Sequence, residues 1–237
     1  MGSFERGLGS VAIEVPCEIP NDRGRVPLRD LASRYDAAAP QWHRWIRWLG
    51  YPEAYARLFI RLQAAARLRR VAAGGRVLDC GIGTGVLSLA LAYIAPVQEV
   101  VGVDIAPAML REAAGNLAAA GVPADLRQAD AHRLTHPDAS FDAVVSAHML
   151  EHLAQPDEAI GEMVRVLRPG APLVIVATRA TLADHLIRLK WHHVPIGRDQ
   201  LITWMRSRGL RDIEVRSVGK KPSPAHWLSR AFVGRKA

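Results

Sequence analysis

The sequence predicts an α/β protein: a doubly wound, mostly parallel sheet with helices on both faces, an N-terminal helical cap and a C-terminal antiparallel hairpin. Three observations predict it. Between residues 76 and 178, short runs rich in Val, Ile and Leu alternate with helix-period stretches, the order expected of a buried parallel sheet with helical crossovers. A glycine-rich turn, residues 81–85, joins the first run to the first of these helices. After residue 209 the pattern changes to strand alternation around a Gly/Pro turn, which suits antiparallel strands at a sheet edge.

Each element follows in order. Residues 1–27 carry closely spaced Pro16, Pro20 and Pro27 with no helical period, and read as an extended arm. Residues 28–75 form the helical cap, broken at Pro40 and at Gly50-Tyr51-Pro52. Within it Trp42, Trp45, Ile46 and Leu49 share one helical face, with His43, Arg44 and Arg47 turned away. A second helix sets Tyr55, Leu58, Phe59 and Leu62 on one side. Strands are expected at 76–80, 99–104, 125–129, 141–147 and 173–178, with helices at 86–94, 107–120 and 157–167. An insertion at 180–197 precedes a helix at 199–208 that Gly209 ends. A strand at 212–218, turn residues 219–224 and a returning strand at 226–233 make seven strands in all, so that residues 76–237 form one domain.

Composition narrows the function classes. With 49% hydrophobic and 23% charged residues the chain is neither mainly disordered nor collagen-like. Cys17 and Cys80 are too few for a disulfide framework or a Cys-rich metal site and fit a reducing, cytoplasmic location. No apolar stretch nears the ~18 residues of a membrane span, and the N-terminus lacks the apolar core of a signal peptide. The net charge of +8 is uneven: residues 1–76 carry +6, 77–180 carry −6 and 181–237 carry +8. An acidic centre between basic ends fits an anionic partner, whether nucleic acid, lipid headgroup or acidic substrate, and equally a solvated Arg-rich surface.

The segment Val77-Leu78-Asp79-Cys80-Gly81-Ile82-Gly83-Thr84-Gly85 carries the chemistry. A buried strand enters a turn whose glycines Gly81, Gly83 and Gly85 allow positive φ and close backbone approach, and a helix start adds unpaired N–H donors. The spacing is Gly-x-Gly-x-Gly, not the Gly-x-Gly-x-x-Gly of a dinucleotide pyrophosphate site, and no Gly-Lys-Ser/Thr follows. Asp79 would repel a pyrophosphate and suits a cationic amine or sulfonium. Asp104 ends the second strand 25 positions later, where a carboxylate can accept ribose hydroxyls. Ile105 could pack on an adenine face, and Asp130, in Gln128-Ala129-Asp130-Ala131, could accept from an adenine amino group. Asp104 is also placed to cap the helix at Pro107, and Asp130 to be a turn residue.

With VVGVDIAPAML (100–110), ADAHRL (129–134), FDAVVSAHMLEHL (141–153) and VLRPGAPLVI (166–175), the chain resembles the class I S-adenosylmethionine-dependent methyltransferases over residues 76–178, and the hairpin ending extends this to the C-terminus. The nearest subgroup is similar to the ubiquinone/menaquinone-biosynthesis type of small-molecule methyltransferase, with Tyr35-Asp36-Ala37-Ala38-Ala39 matching its N-terminal Tyr-Asp-x-x-Ala segment. The resemblance implies a Rossmann-like fold and S-adenosyl-L-methionine as cofactor. It implies cofactor contacts from Asp79, Gly81, Gly83, Asp104, Ile105 and Asp130, with Tyr35 closing over the cofactor's amino-acid end; Gly85, Ala131 and Ser146 complete the expected cofactor-binding set.

Methyl transfer from a sulfonium is an in-line displacement, so catalysis is mostly positioning in a dry pocket, and a base is needed only for an acceptor that must lose a proton. Ser146, His148, Glu151 and His152 follow the fourth strand; His152 is the first catalytic candidate, on the strength of the resemblance, and His148 the second. Capping or packing the next helix is the competing role for His152. No metal site is evident, since adjacent His192 and His193 cannot easily face one ion. Trp191, His192 and His193 of the insertion are expected near the substrate opening, and Arg44, Arg47 and Lys190 suit an anionic or hydrophobic substrate. The expected activity is methylation of a small molecule at oxygen, nitrogen or carbon. Peripheral action on membrane lipid or quinone stays open because of the Trp/Arg helix, an RNA substrate is less favoured, and a cofactor-binding regulatory pseudoenzyme is the non-enzyme reading.

Overall fold

A computed structural model describes residues 28–179, 194 and 196–237. The arm at 1–27, with Cys17, lies outside the described residues, as do Lys190, Trp191, His192 and His193 of the insertion. Among the described residues the strands are β1 (Arg76–Cys80), β2 (Glu99–Asp104), β3 (Ala124–Gln128), β4 (Ala143–Ala147), β5 (Pro172–Thr178), β6 (Leu210–Ser217) and β7 (Ser229–Lys236). They form one sheet in the order β3-β2-β1-β4-β5-β7-β6, parallel except for β7, which runs antiparallel to both β5 and β6. The strand order reverses between β1 and β4. At such a switch point the loops leaving the two strands diverge and open a crevice at the sheet's carboxyl edge.

Among the described residues eight α-helices accompany the sheet: α1 (Leu28–Trp48), α2 (Tyr51–Ala64), α3 (Arg69–Ala72), α4 (Val86–Ile94), α5 (Pro107–Ala119), α6 (Pro156–Val166), α7 (Arg198–Ser207) and α8 (Pro224–Leu228). Successive strand side chains face opposite sides, so β1 feeds two layers. Leu78 joins Val101, Val144 and Leu173 under α6 and α7, packed by Ile160, Met163, Leu201 and Met205. Val77 joins Val145 and Val174 in the other layer, under Leu58, Phe59 and Leu62 of α2 and Leu87 and Leu91 of α4. Burying each of these side chains contributes about 1.5–3 kcal/mol, which makes α2 part of the sheet's helical cover. The same parity carries Asp79 to the α4 side, at the top of the second layer.

The structure departs from the sequence reading in several places. Helix α1 runs unbroken through position 40. A mid-helix proline costs about 3 kcal/mol; here Tyr35, Ala39 and Trp42, on both sides of it, pack against Ala106 and Met109 at the start of α5. The inward face of α1 carries Tyr35, Trp42, His43 and Ile46, whereas Trp45 and Trp48 are exposed, reversing the expectation for His43 and Trp45. Residues 224–228, expected partly as strand, form α8: Pro224 opens it and the Ser223 hydroxyl accepts from the His226 amide. Phe141 and Asp142 precede β4, with Phe141 bridging to Leu167. No helix among the described residues is long and apolar enough to cross a membrane.

Candidate active site

The crevice at the β1/β4 switch point is a cleft with about 950 Å³ of space between its protein atoms, part of it open solvent. Its floor is the turn between β1 and α4. Gly81 has φ 70°, and a Cβ there would lie 2.5 Å from Cγ of Met149, so both the backbone conformation and the close approach of the β4 loop require glycine. Gly83 has φ 53° and open space where a Cβ would be, which leaves its backbone accessible from the cleft.

Two carboxylates flank this turn. Asp79, 1% exposed, accepts a hydrogen bond from the Ser88 hydroxyl through Oδ2 at 2.7 Å, while its buried Oδ1 has no partner. Burial pushes its pKa up to about 7, with the nearby Asp104 charge adding to the rise and the Ser88 hydrogen bonds opposing it. Asp104, at the end of β2, accepts from the Gly83 amide at 2.8 Å and the Ala106 amide at 3.0 Å, one on each oxygen. A carboxylate has about four lone-pair sites, so both oxygens keep acceptor capacity. The same contacts fulfil the capping role at α5: Asp104 satisfies Ala106, and Asp36 reaches from α1 to accept from Ala108 at 2.7 Å. Ile105, Asp130 and Ala131 continue the cleft wall beyond Asp104. Oδ1 of Asp130 accepts from the His132 amide at 2.9 Å and lies 2.7 Å from its Nδ1. Burial works to raise the Asp130 pKa, but these bonds outweigh it and hold it below its usual value.

The opposite wall comes from α1 and the turn after β4. Tyr35, Trp42 and Ile46 face the cleft, as do His148 and His152. The Tyr35 hydroxyl is 2.8 Å from Nε2 of His152, with the rings edge to face at 5.5 Å. Burial, aided by the charges of Asp104 and Glu151, drives the phenol pKa far above its ordinary value. The phenol therefore keeps its proton, and it can donate to Nε2 when that nitrogen is unprotonated. His148 adopts φ 55°. Its Nδ1 lies 3.0 Å from the Thr178 hydroxyl and its Nε2 3.4 Å from that of Ser229, which in turn pairs with the Tyr51 hydroxyl at 2.7 Å. Behind it Glu151, 1% exposed, accepts from the Thr178 amide at 2.6 Å and lies 3.8 Å from Nδ1 of His148. Burial would raise the Glu151 pKa; His148, the Thr178 amide and the neighbouring His152 outweigh that and hold it to about 2.

Tyr35, Asp79, Gly81, Gly83, Asp104, Ile105, Asp130, Ala131, His148 and His152 thus meet in one cleft. Gly85 and Ser146 do not join them. Gly85, φ 81°, opens α4 and abuts Ala113 of α5, so its place is in helix packing. Ser146 is buried and donates to the Cys80 carbonyl at 2.8 Å, tying β4 to β1. His43, expected on the outer face of its helix, points inward: its Nδ1 lies 3.4 Å from the Thr84 hydroxyl and 3.3 Å from the amide nitrogen of Asn116, joining α1 to the glycine turn and α5. Burial, with Arg47 nearby, lowers its pKa and favours the neutral ring. Among the described residues, no group of three or more His, Cys, Asp or Glu side chains is placed to hold a metal ion.

A methyltransferase-domain family model matches residues 78–175. A phosphatidylethanolamine N-methyltransferase from Cereibacter sphaeroides is 35% identical over 161 residues, 62% of this chain and 77% of that protein. The chain belongs to the class I S-adenosylmethionine-dependent methyltransferases. A demethylmenaquinone methyltransferase from Thermus thermophilus is 45% identical over 101 residues, 43% of this chain and 46% of that protein. The chain spans about half the length of the demethylmenaquinone methyltransferases it matches. The fold is shared with a Thermotoga maritima methyltransferase described as a possible histamine N-methyltransferase: TM-score 0.65, 17% identity, 86% of this chain and 99% of that one. S-Adenosylmethionine is the family's cofactor, and the residues present fit it. Its α-amine and sulfonium are cationic, and the cleft holds a buried carboxylate oxygen without a partner at Asp79.

Proposed function

We propose that this chain transfers the methyl group of S-adenosylmethionine to a small-molecule acceptor, at oxygen, nitrogen or carbon, by in-line displacement. The observation that carries this reading is Oδ1 of Asp79, buried and unpartnered beside the glycine turn. A carboxylate so placed is unfavourable by itself and is stabilised when a cationic amine arrives. Asp79 would hold the amino-acid end of the cofactor, with Gly81 and Gly83 admitting its approach. Asp104 would take the ribose hydroxyls on the lone pairs left by its two amide donors, and Ile105, Asp130 and Ala131 would flank the adenine.

When bound, the cofactor supplies an electrophilic methyl on a sulfonium. The chain's part is to exclude water and align the acceptor. Tyr35, Trp42 and Ile46 close the cleft from α1. The Tyr35 hydroxyl keeps Nε2 of His152 facing the cleft, and an acceptor O–H or N–H that displaces this hydroxyl transfers its proton to that nitrogen. His148, held by Thr178 and Ser229, positions the acceptor on the far side. The apolar walls from Leu31, Ile46 and Tyr55 suit an apolar or amphipathic acceptor and disfavour nucleic acid. Cys80 is a buried free thiol, in keeping with reaction in the reducing cytoplasm.

Calorimetric titration with S-adenosylmethionine, S-adenosylhomocysteine and NAD tests the reading: the first two bind and NAD does not. Tight NAD binding without S-adenosylhomocysteine binding overturns it. Transfer of labelled methyl to demethylmenaquinol or phosphatidylethanolamine then defines the acceptor, whereas cofactor binding with no transfer to any small molecule or lipid marks a regulatory protein instead.

A further inference from the structure

Away from the cleft, three exposed tryptophans gather on one edge. Trp45 and Trp48 of α1 are 55% and 75% exposed and meet edge to face at 6.0 Å; Trp227 of α8 is 50% exposed. The end of α1 and the start of α8 adjoin, although about 180 residues separate them in sequence. The Ala225 amide donates to the Leu49 carbonyl at 3.4 Å, and a Cβ at Gly50 would lie 3.9 Å from Cβ of Ser223. Ala225 is fully buried in the layer beneath α2, which fixes α8 with Trp227 outside. Basic side chains surround these rings. Arg44 and Arg47 are exposed on α1, Lys220 and Lys221 just before α8, and the Lys221 ammonium lies 5.2 Å from the Trp227 ring. Across residues 41–53 and 219–228, four Arg and Lys stand against one acidic residue, Glu53.

We propose that this tryptophan-and-basic edge docks the protein on an anionic lipid bilayer. Indole rings favour the headgroup boundary, where the ring is half desolvated and its N–H stays hydrated, and each basic residue near an anionic leaflet adds electrostatic attraction. A second copy of the chain is a poor occupant, because the same four cations would face each other. Nucleic acid is also a poor occupant: Trp45 and Trp48 pack edge to face against each other and do not offer two separated faces on which bases stack. The other side of the same helix carries Trp42 and Ile46 into the cleft, so docking brings the bilayer to the wall of the candidate acceptor site. The docking does not rest on the methyl-transfer reading, since it can occur in a protein that never turns over.

The purified chain is sedimented with phosphatidylglycerol–phosphatidylcholine vesicles and with pure phosphatidylcholine vesicles, while tryptophan emission is followed. The expected result is binding to the anionic vesicles with a blue shift, weakened by salt. R44Q/R47Q lowers the partition coefficient about fivefold per charge removed, and W48A/W227A lowers it and removes most of the blue shift. All four positions are exposed, so thermal midpoints and S-adenosylhomocysteine affinity stay as in the wild type. If W48A/W227A lowers the midpoint, W48F/W227F and R44Q/R47Q carry the comparison. The proposal is overturned by absence of vesicle binding, by binding that both variant pairs leave unchanged, by tighter retention on polyribonucleotide than on vesicles, or by a dimer that W48A/W227A dissociates.

Discussion

Asp79→Asn separates what the buried carboxylate does for the fold from what it does for the ligand. In the free protein burial lifts the Asp79 pKa from 3.8 to about 7; at 1.36 kcal/mol per pH unit, its ionisation costs the folded state about 4 kcal/mol. The sign follows from linkage. A folded-state pKa above the unfolded value means that the stability is present at low pH and is lost as pH rises from about 4 through about 7. The carboxamide introduced by Asp79→Asn cannot ionise and keeps an acceptor for the Ser88 hydroxyl, but it leaves a buried N–H unsatisfied, which costs about 1–3 kcal/mol. The net expectation is a ligand-free variant about 1–3 kcal/mol more stable than wild type near pH 8, a difference that vanishes or reverses near pH 5. Differential scanning fluorimetry at the two pH values measures it, with a midpoint shift of about 2–4 °C per kcal/mol. Adding S-adenosylmethionine at about a hundred times its Kd stabilises the wild type by about 2.7 kcal/mol and the variant far less. An Asp79→Asn protein that is less stable near pH 8 and still responds fully to the cofactor refutes the reasoning.

Other perturbations probe the supporting parts. Gly81→Ala pushes a methyl into Met149 and forces alanine to φ 70°, and chemical denaturation is expected to read a loss of about 2–4 kcal/mol. Asp36→Ala removes the partner of the Ala108 amide; it should lower stability by about 1 kcal/mol and speed proteolysis within α1, with the sheet's hydrogen exchange unchanged. Glu151 has a pKa held to about 2 against an ordinary 4.5, so its stabilisation, about 3 kcal/mol, is full above pH 4.5 and is lost as pH falls toward 2. Glu151→Gln should therefore destabilise the protein at neutral pH and flatten its acid-unfolding curve between those values. Equal acid curves for the two proteins contradict that assignment.

The parts legible in the sequence are those set by local pattern. The strand running into Gly81 and Gly83, with Asp79 before it and Asp104 closing the next strand, needs only a period-two core and glycine geometry, and the cleft forms around those residues. What was not legible depends on tertiary contacts. The break expected at Pro40 does not occur: α1 runs through it, with Tyr35, Ala39 and Trp42 on both sides packed against the start of α5. His43 reads as outward by its charge pattern, yet Thr84 and Asn116, 41 and 73 positions away, draw it inward. Ser146 sits at a strand end like a ligand contact, but strand parity sends its hydroxyl to the Cys80 carbonyl. Asp36, in a segment noted for its tyrosine, proves to satisfy the start of α5. No spacing along the chain announces such a bond, although the unpaired amides that follow Pro107 at a helix start are a reason to look for a carboxylate nearby.

The pH dependence of S-adenosylhomocysteine affinity bears most directly on the claim that Asp79 receives the cofactor's cationic end. Because only the ionised carboxylate pairs with the amine, and its pKa in the free protein is about 7, calorimetric Kd should weaken about tenfold between about pH 8 and about pH 6, with Asp79→Asn weak at both. Equal affinities at the two pH values in the wild type would contradict the account.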